Sequence, residues 1–413
     1  MIYLDNHATT RLDPRVLAAM LPWLTDHYGN AGSTTHEMGR EARAAVDAAR
    51  ETWAAAIGAT AREIVFTGGA TESANLAILG TASRLRPGTG GGSRGHVITV
   101  ATEHHAVLDP IEHLEREGVA VTRLSVVGQG DPDGVPGRIR LADLDAALRP
   151  DSFLVSVLLA NNEIGVVQDV AAIAGRVHAA GAMLHVDCAQ ALGRMRVDVD
   201  ALGADLASFS GHKFHGPKGV GALYVRRRGR AVRVDPLVFG GGQERGMRSG
   251  TLDVPAIVGM AEAARLANGG LAEEAPQMRR LRDRLWQKLA EAVPGIAVNG
   301  PALDAGPDGS APVRLVNNLN VRIPGVDGQT LLATVSGEGL AVSSGSACSS
   351  ESPRPSHVLL ALGLSEDQAR ASLRFGLSRF TTDTEVDEAA SRIAAGVARL
   401  RTLSLSGDDV SKP

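Results

Sequence analysis

From Glu63 onward the chain alternates short β-forming runs with helical ones, and no other feature restricts its fold so tightly. "EIVFT" is followed by "ESANLAILGTASRL", and "HVITV" by "VLDPIEHLEREG" and "VAVTRLSV". The rhythm continues through "FLVSVLLA", the helix "DVAAIAGRVHAAG", and the runs "AMLHVD", "DLASFS" and "GALYV". Such a succession reads as βαβ units around a mainly parallel sheet, an α/β fold. Ahead of it, Ala42, Val46, Ala49 and Trp53 recur at helical spacing, and Gly58 is placed to end that helix. A second unit begins near Val254 with a long Ala-rich helix and runs on through "LRDRLWQKLAEAV". After it come a strand at 315–321, the strand "SLRFGL" and a last helix over 386–400, the makings of a smaller α+β domain. No internal repeat is present.

With 413 residues the chain has length for two or three domains and a large core. A net charge of −4 with 21% charged residues offers no broad basic face for nucleic acid or anionic lipid, so a small molecule or a protein is the expected partner. The two cysteines, Cys188 and Cys348, form no disulfide framework and no CxxC pair, which fits a reducing cytoplasm. "MIYLDNHATT" has no basic segment leading into an apolar one, and "FLVSVLLA" is far too short to cross a bilayer, so no export signal or membrane span is expected. "SLSGDDVSKP" reads as a frayed tail. Of two Gly/Pro-rich loops, 86–95 and 128–137, the first lacks a following Gly-Lys-Ser/Thr and reads as surface loop rather than nucleotide P-loop.

Chemistry concentrates at strand ends. "DLASFS" delivers Ser210, His212 and Lys213 to a turn that Gly216 and Gly219 allow to be tight, the kind of place where α/β proteins build sites. Taken alone, Lys213 is one basic residue among many. "TGGATES" places glycines followed by Thr71 and Ser73 at a helix start, where backbone N–H groups and hydroxyls suit a phosphate and equally suit an ordinary cap. "HVDCAQ" ends a strand with Asp187, either a helix cap or the partner of a cationic ring nitrogen. His104, in "TEHHAVLD", is a candidate to stack on a flat ring. A metal site at His104, His105 and His113 ranks lower, because the spacing matches no HExxH pattern. A lysine amine, a phosphate cup, an acid and a stacking partner together ask for pyridoxal phosphate.

The blocks "YLDNHATT", "IVFTGGATESANLAI", "TEHHAVL", "NNEIGVVQD", "HVDCAQ", "SFSGHKFHGPKGVGALYVR", "GGGQERGMRSGT" and "SSGSAC", in this order from Tyr3 to about Phe380, closely resemble the cysteine desulfurases of the nitrogen-fixation and housekeeping iron–sulfur type. The resemblance implies a fold-type I pyridoxal phosphate enzyme of the class V group, acting on L-cysteine as a homodimer. It also implies a large cofactor domain over 14–260, a small domain from 1–13 and 261–403, and a polar tail over 404–413. By motif, Lys213 resembles the Schiff-base lysine and His104 the stacking acid/base. Ala70, Thr71, Ser210 and His212 resemble phosphate ligands, with Thr251 reaching the phosphate from the neighbouring subunit. Asp187 matches the ring-nitrogen partner, Gln190 and Asn162 the contacts to ring oxygen or substrate, and Arg374 the clamp for the substrate carboxylate.

Cys348 then acquires a role. Its run of small polar residues leaves a thiol reachable, and the resemblance implies that it attacks the substrate's sulfur and carries it off as a persulfide. Cys188, next to Asp187, reads as a small buried hydrophobe.

The stretch "GNAGSTTH" has Ala31 where the family pattern has proline and a changed spacing from Asn30 to His36. His7 stands where that pattern more often has a small residue, and the sequence offers it no role. "SSESPRPSHVL" after Cys348 resembles the long-loop group. After "RLRTLSLSG" the sequence lacks the longer tail that some members use to dock an iron–sulfur scaffold, so the resemblance implies a sulfur-acceptor or scaffold partner less strongly than it implies desulfuration. A selenocysteine lyase is the alternative activity, and a non-catalytic sulfur-relay role ranks third because lysine, aspartate, histidine and cysteine are all present.

Overall fold

The computed structural model describes residues 1–85, 95–304, 312–344 and 354–408, with side chains described as far as residue 403. Cys348, nearly all of the 86–95 loop, the start of the long loop after Cys348 and the end of the tail lie outside the described residues.

The predicted β runs form one seven-stranded sheet. In spatial order its strands are Ile64–Thr67, Gly221–Val225, Leu206–Ser210, Met183–Asp187, Ser152–Leu158, His96–Val100 and Ala120–Leu124. All neighbours pair in parallel except Gly221–Val225, which is antiparallel to both of its neighbours. Strands Ser152–Leu158 and Leu206–Ser210 are buried along their whole length, as expected of a sheet covered on both faces. Helix Glu37–Ala56 buries Ala42, Val46, Ala49 and Trp53, as its spacing predicts. Trp53 meets Phe209 edge-on at 5.2 Å between ring centroids and stacks on Phe214 at 5.8 Å. This helix therefore braces the segment that carries Lys213 from both sides.

Helix Val254–Ala292 is continuous over 39 residues, capped at its start by Asp253 Oδ1, which accepts from Ala256 N. Its first half packs into the core under the large sheet through Ile257 and Met260. Leu281, Leu285 and Leu289 in its second half join another core, with Ile2, Leu4, Leu319, Leu373 and Phe375. That core surrounds the antiparallel strands Asn318–Arg322 and Ser372–Gly376, and the N-terminal strand Ile2–Tyr3 pairs in parallel with Leu340–Ala341 beside it.

Three boundaries differ from the sequence reading. The strand predicted at 315–321 begins at Asn318, because Leu315 N donates instead to Gly165 O. The last helix starts at Asp383, where the Thr382 hydroxyl and the Glu385 carboxylate cap each other's backbone N–H, and its backbone runs to Asp408. The short helices Leu141–Ala147 and Gly328–Gly337 have too few turns to show a hydrophobic period.

Candidate active site

Six strands of the large sheet, all but Gly221–Val225, point their carboxyl ends the same way, and the chemically promising residues lie at or just beyond those ends. Ile64–Thr67 leads into the Gly68–Gly69 turn, and Leu206–Ser210 leads into His212 and Lys213. Met183–Asp187 ends on Asp187 itself. A cavity of about 830 Å³ opens there, lined by Ala70, Thr71, His104, Asn162, Asp187, Gln190, Ser210, His212 and Lys213. Residues scattered over more than a hundred positions thus share one wall, where ligand sites of open α/β sheets form.

At one end of the cavity, helix Ala70–Leu85 begins with its first N–H groups facing a turn of two glycines. Gly69 has φ +148, and a Cβ on it would sit 3.7 Å from Ser210 Oγ. A Cβ on Gly221 would meet Phe209 O at 2.4 Å and the Gly69 backbone at 2.6 Å, so the turn and the strand start can touch only without side chains. His212 Nδ1 is 3.0 Å from Thr9 Oγ1, and burial and the Lys213 charge hold its pKa down at about 4.

Lys213 Nζ donates to His7 O at 2.7 Å and Ala8 O at 2.8 Å. Asp187 is buried and its Oδ1 accepts from Ala189 N at 2.9 Å. Burial raises its pKa, while the Ala189 N–H and the Lys213 charge favour the carboxylate. Beneath it, His185 is fully buried between Ser156 Oγ at 2.8 Å and Ser208 Oγ at 3.1 Å, and burial lowers its pKa to about 3. Glu103 Oε1 accepts from Leu158 N at 2.7 Å, and burial together with the nearby Asp187 charge pushes this acid well above the usual carboxylate range.

His104 caps the helix His105–Arg116, its Nδ1 accepting from Ala106 N at 3.0 Å. Burial, then the Lys213 charge, lowers its pKa to about 4, so the ring is neutral and carries its proton on Nε2. His105 and His113 lie on the exposed side, each beside a carboxylate one turn on, Asp109 and Glu117. No group of three metal-ligating side chains occurs among the described residues.

Arg374 is buried outside the cavity lining, with Nη2 on Asp5 Oδ1 at 2.8 Å and Nη1 on the carbonyl of Asn162 at 3.3 Å. Its Nε has no partner among the described residues. Thr251 is exposed and is not among the lining residues. Cys188 is buried, which raises its thiol pKa well above the ordinary value. The sequence reading missed Ala8, Thr9, Asn75, Lys218, Leu237 and Val238, all of which line the cavity. Ala8, Thr9, Asn75 and Lys218 fall inside the blocks that carry the resemblance, whereas Leu237 and Val238 lie outside them.

Comparison with known proteins places the whole chain in a family. The model of the family described as Aminotransferase class-V matches residues 2–388. A protein of Anaeromyxobacter dehalogenans named cysteine desulfurase IscS is 49% identical over 404 residues, spanning 98% of this chain and 94% of its own. The protein of that name from Klebsiella pneumoniae is 47% identical over 406 residues, with the same two shares. Among solved structures, a NifS-like protein superposes with a TM-score of 0.85 at 36% identity, covering 96% of this chain and 99% of its own. DndA from Streptomyces lividans superposes with a TM-score of 0.73 at 40% identity, covering 90% and 98%.

Proposed function

We infer the reaction from one premise: this chain belongs to the class-V aminotransferase family, where its relatives are named cysteine desulfurases. Its activity is that of a cysteine desulfurase, turning L-cysteine into L-alanine and handing on the sulfur. The observation that carries this reading is the meeting of Lys213, His104, Asp187 and the glycine turn in one cavity.

Pyridoxal phosphate is the cofactor we assign, and when bound it supplies an electron sink for charge at a substrate α-carbon. The residues present fit it. The buried carboxyl of Asp187 suits a cationic ring nitrogen, and the cradle left by Gly69, with Ala70, Thr71, Ser210 and His212, suits a phosphate. Lys213 offers the amine, His104 the flat neutral ring, and Gln190 and Asn162 amides for ring oxygen or substrate. We assign Thr251 to the phosphate held by a neighbouring subunit.

Lys213 Nζ and His104 Nε2 exchange protons with the substrate around its α-carbon. Arg374, steadied by Asp5 and reaching the cavity wall at the Asn162 carbonyl, is the residue we assign to the substrate carboxylate. The Cys348 thiolate attacks the sulfur of L-cysteine. A sulfur–sulfur bond forms as the substrate's C–S bond breaks, the electron pair stays with the β-carbon, a proton adds there, and alanine leaves. Both approaches to Cys348 are anchored near the cavity: Ser343 pairs with Arg374 backbone to backbone, and the Ser356 hydroxyl donates to Glu163 Oε2.

We further propose a homodimer, because Leu17, Leu21 and Leu24 lie exposed on one face of helix Pro14–Thr25 and Phe239 is 80% exposed. The large and small domains are 14–260 and 1–13 with 261–403, followed by the polar tail. The enzyme works in the cytoplasm and delivers sulfur to an acceptor protein such as an iron–sulfur scaffold. No helix among the described residues is long and apolar enough to cross a membrane.

The test is alanine release from L-cysteine by cofactor-loaded protein with reductant, beside Cys348→Ala and Lys213→Ala. Alanine from the parent, almost none from Cys348→Ala, and neither alanine nor the visible cofactor band from Lys213→Ala is the expected result. Full turnover in either variant overturns that residue's assignment. Activity on selenocysteine that survives Cys348→Ala would point to a lyase instead.

A further inference from the structure

His7 is fully buried, and the proton on its ring is dictated by its neighbours. Its Nδ1 is 3.0 Å from Gln190 Oε1 and its Nε2 is 3.2 Å from Asn318 Nδ2. Each amide's orientation is settled by a second partner with no choice of role. Arg194 Nη1, which can only donate, is 2.9 Å from Gln190 Oε1, and the His7 carbonyl, which can only accept, is 3.0 Å from Gln190 Nε2. At the other end, Arg314 Nη2 donates to Asn318 Oδ1 at 2.9 Å, so the Asn318 nitrogen must face His7. His7 Nδ1 therefore donates and Nε2 accepts.

A second proton on Nε2 would point at an amide N–H. Burial and the charges of Arg194, Arg374 and Lys213 oppose it as well, and only the Gln190 bond favours it. The consequence falls on Gln190, which lines the cavity. Its oxygen is occupied by two donors, and one amide hydrogen is spent on the His7 carbonyl. What remains for a ligand is the other N–H. The same His7 carbonyl also receives Lys213 Nζ.

We propose that His7 is a positioning residue: held in a single tautomer, its Nδ1–H joins Arg194 and the residue-7 carbonyl in locking the Gln190 amide, so that an N–H, and not the carbonyl, faces the ring oxygen of the cofactor. This rests on the assignment of pyridoxal phosphate to the cavity. A donor there stabilises the deprotonated ring oxygen, which lowers the pH midpoint of the loaded cofactor's visible band.

The experiment titrates that band in the parent, His7→Ala, His7→Asn, Gln190→Ala and the double variant His7→Ala/Gln190→Ala. A parent that takes up cofactor and shows the band, and a Lys213→Ala variant that does not, secure the underlying assignment separately. His7→Ala should raise the midpoint by roughly one pH unit, a tenfold change in the protonation equilibrium. Turnover should fall severalfold with KM for L-cysteine nearly unchanged. In the Gln190→Ala background, His7→Ala should add nothing. His7→Asn keeps an N–H donor near the place of Nδ1 and should return the midpoint to the parent's value. A His7→Ala midpoint equal to the parent's overturns the proposal, as does a shift that adds to that of Gln190→Ala. Should His7→Ala not fold, the decision passes to His7→Asn: a parent-like midpoint supports the lock, and a shift as large as that of Gln190→Ala refutes it.

Discussion

Arg194 offers the sharpest test of how the site is held together. Its guanidinium is buried without a carboxylate partner among the described residues and makes four hydrogen bonds, to Gln190 O, Gln190 Oε1, Asn6 O and Lys213 O, all between 2.9 and 3.0 Å. One side chain thus ties the N-terminal segment to the turns carrying Gln190 and Lys213. Burial lowers its pKa to about 10, so it remains charged at neutral pH. Arg194→Met removes all four bonds and fills much of the same volume. At a net value of about 1 kcal/mol each, the bonds account for about 4 kcal/mol. Burying the thioether chain returns about 1–2 kcal/mol, which leaves a loss of roughly 2–3 kcal/mol. With a urea dependence of about 3 kcal/mol/M, the midpoint should fall by a little under about 1 M. Urea unfolding followed by circular dichroism measures this, and the cofactor band measured alongside should weaken because Lys213 and Gln190 lose their common brace. A midpoint within about 0.2 M of the parent's, with an unchanged band, would refute the reasoning.

Other expectations follow from the same geometry. Glu163 is buried against the Ser356 hydroxyl and its pKa is raised to about 7, with burial the main cause and the hydroxyl and Arg374 opposing it. Because the folded pKa exceeds the unfolded one, this group costs stability progressively as pH rises from about 4.5 to 7, by at most roughly 3 kcal/mol. Glu163→Gln should therefore gain on the parent as pH is raised from 5.5 to 8.5, and a constant gap in urea midpoint across that range would count against it. Gly221→Ala forces a methyl group onto the Phe209 and Gly69 backbone, so its apparent Kd for pyridoxal phosphate, measured by fluorescence quenching, should rise at least tenfold. Leu21→Asp places a charge on the exposed apolar face of its helix, 52% open in the single chain, and sedimentation should show monomers of the variant and the proposed dimer of the parent. Dimers in both would move the proposed interface elsewhere.

Much of this was legible in the order of residues. Hydrophobic runs of strand length between helical runs announced the parallel sheet, because strands buried on both faces need no polar alternation. The spacing of Ala42, Val46, Ala49 and Trp53 identified a helix face, since a 3.6-residue period is local information. Lys213, Asp187 and His104 could be picked out because each stands at or just beyond the end of a strand that the sequence itself reveals.

Tertiary structure alone decided what the N-terminal segment does. His7, Ala8 and Thr9 reach Lys213, Gln190 and His212 across about two hundred residues, and no local pattern encodes such a pairing. The same holds for the neutral state of His7 and the raised pKa of Glu163, because burial is a property of the assembled core and not of neighbouring letters. Arg374 shows the limit most plainly: its motif could be recognised in "SLRFGL", but its partners Asp5 and Asn162 come from the far end and the middle of the chain. Periodicity and turn chemistry act over a few residues and are written in the sequence, whereas protonation, hydrogen-bond direction and the closing of a site depend on which distant segments the fold brings into contact.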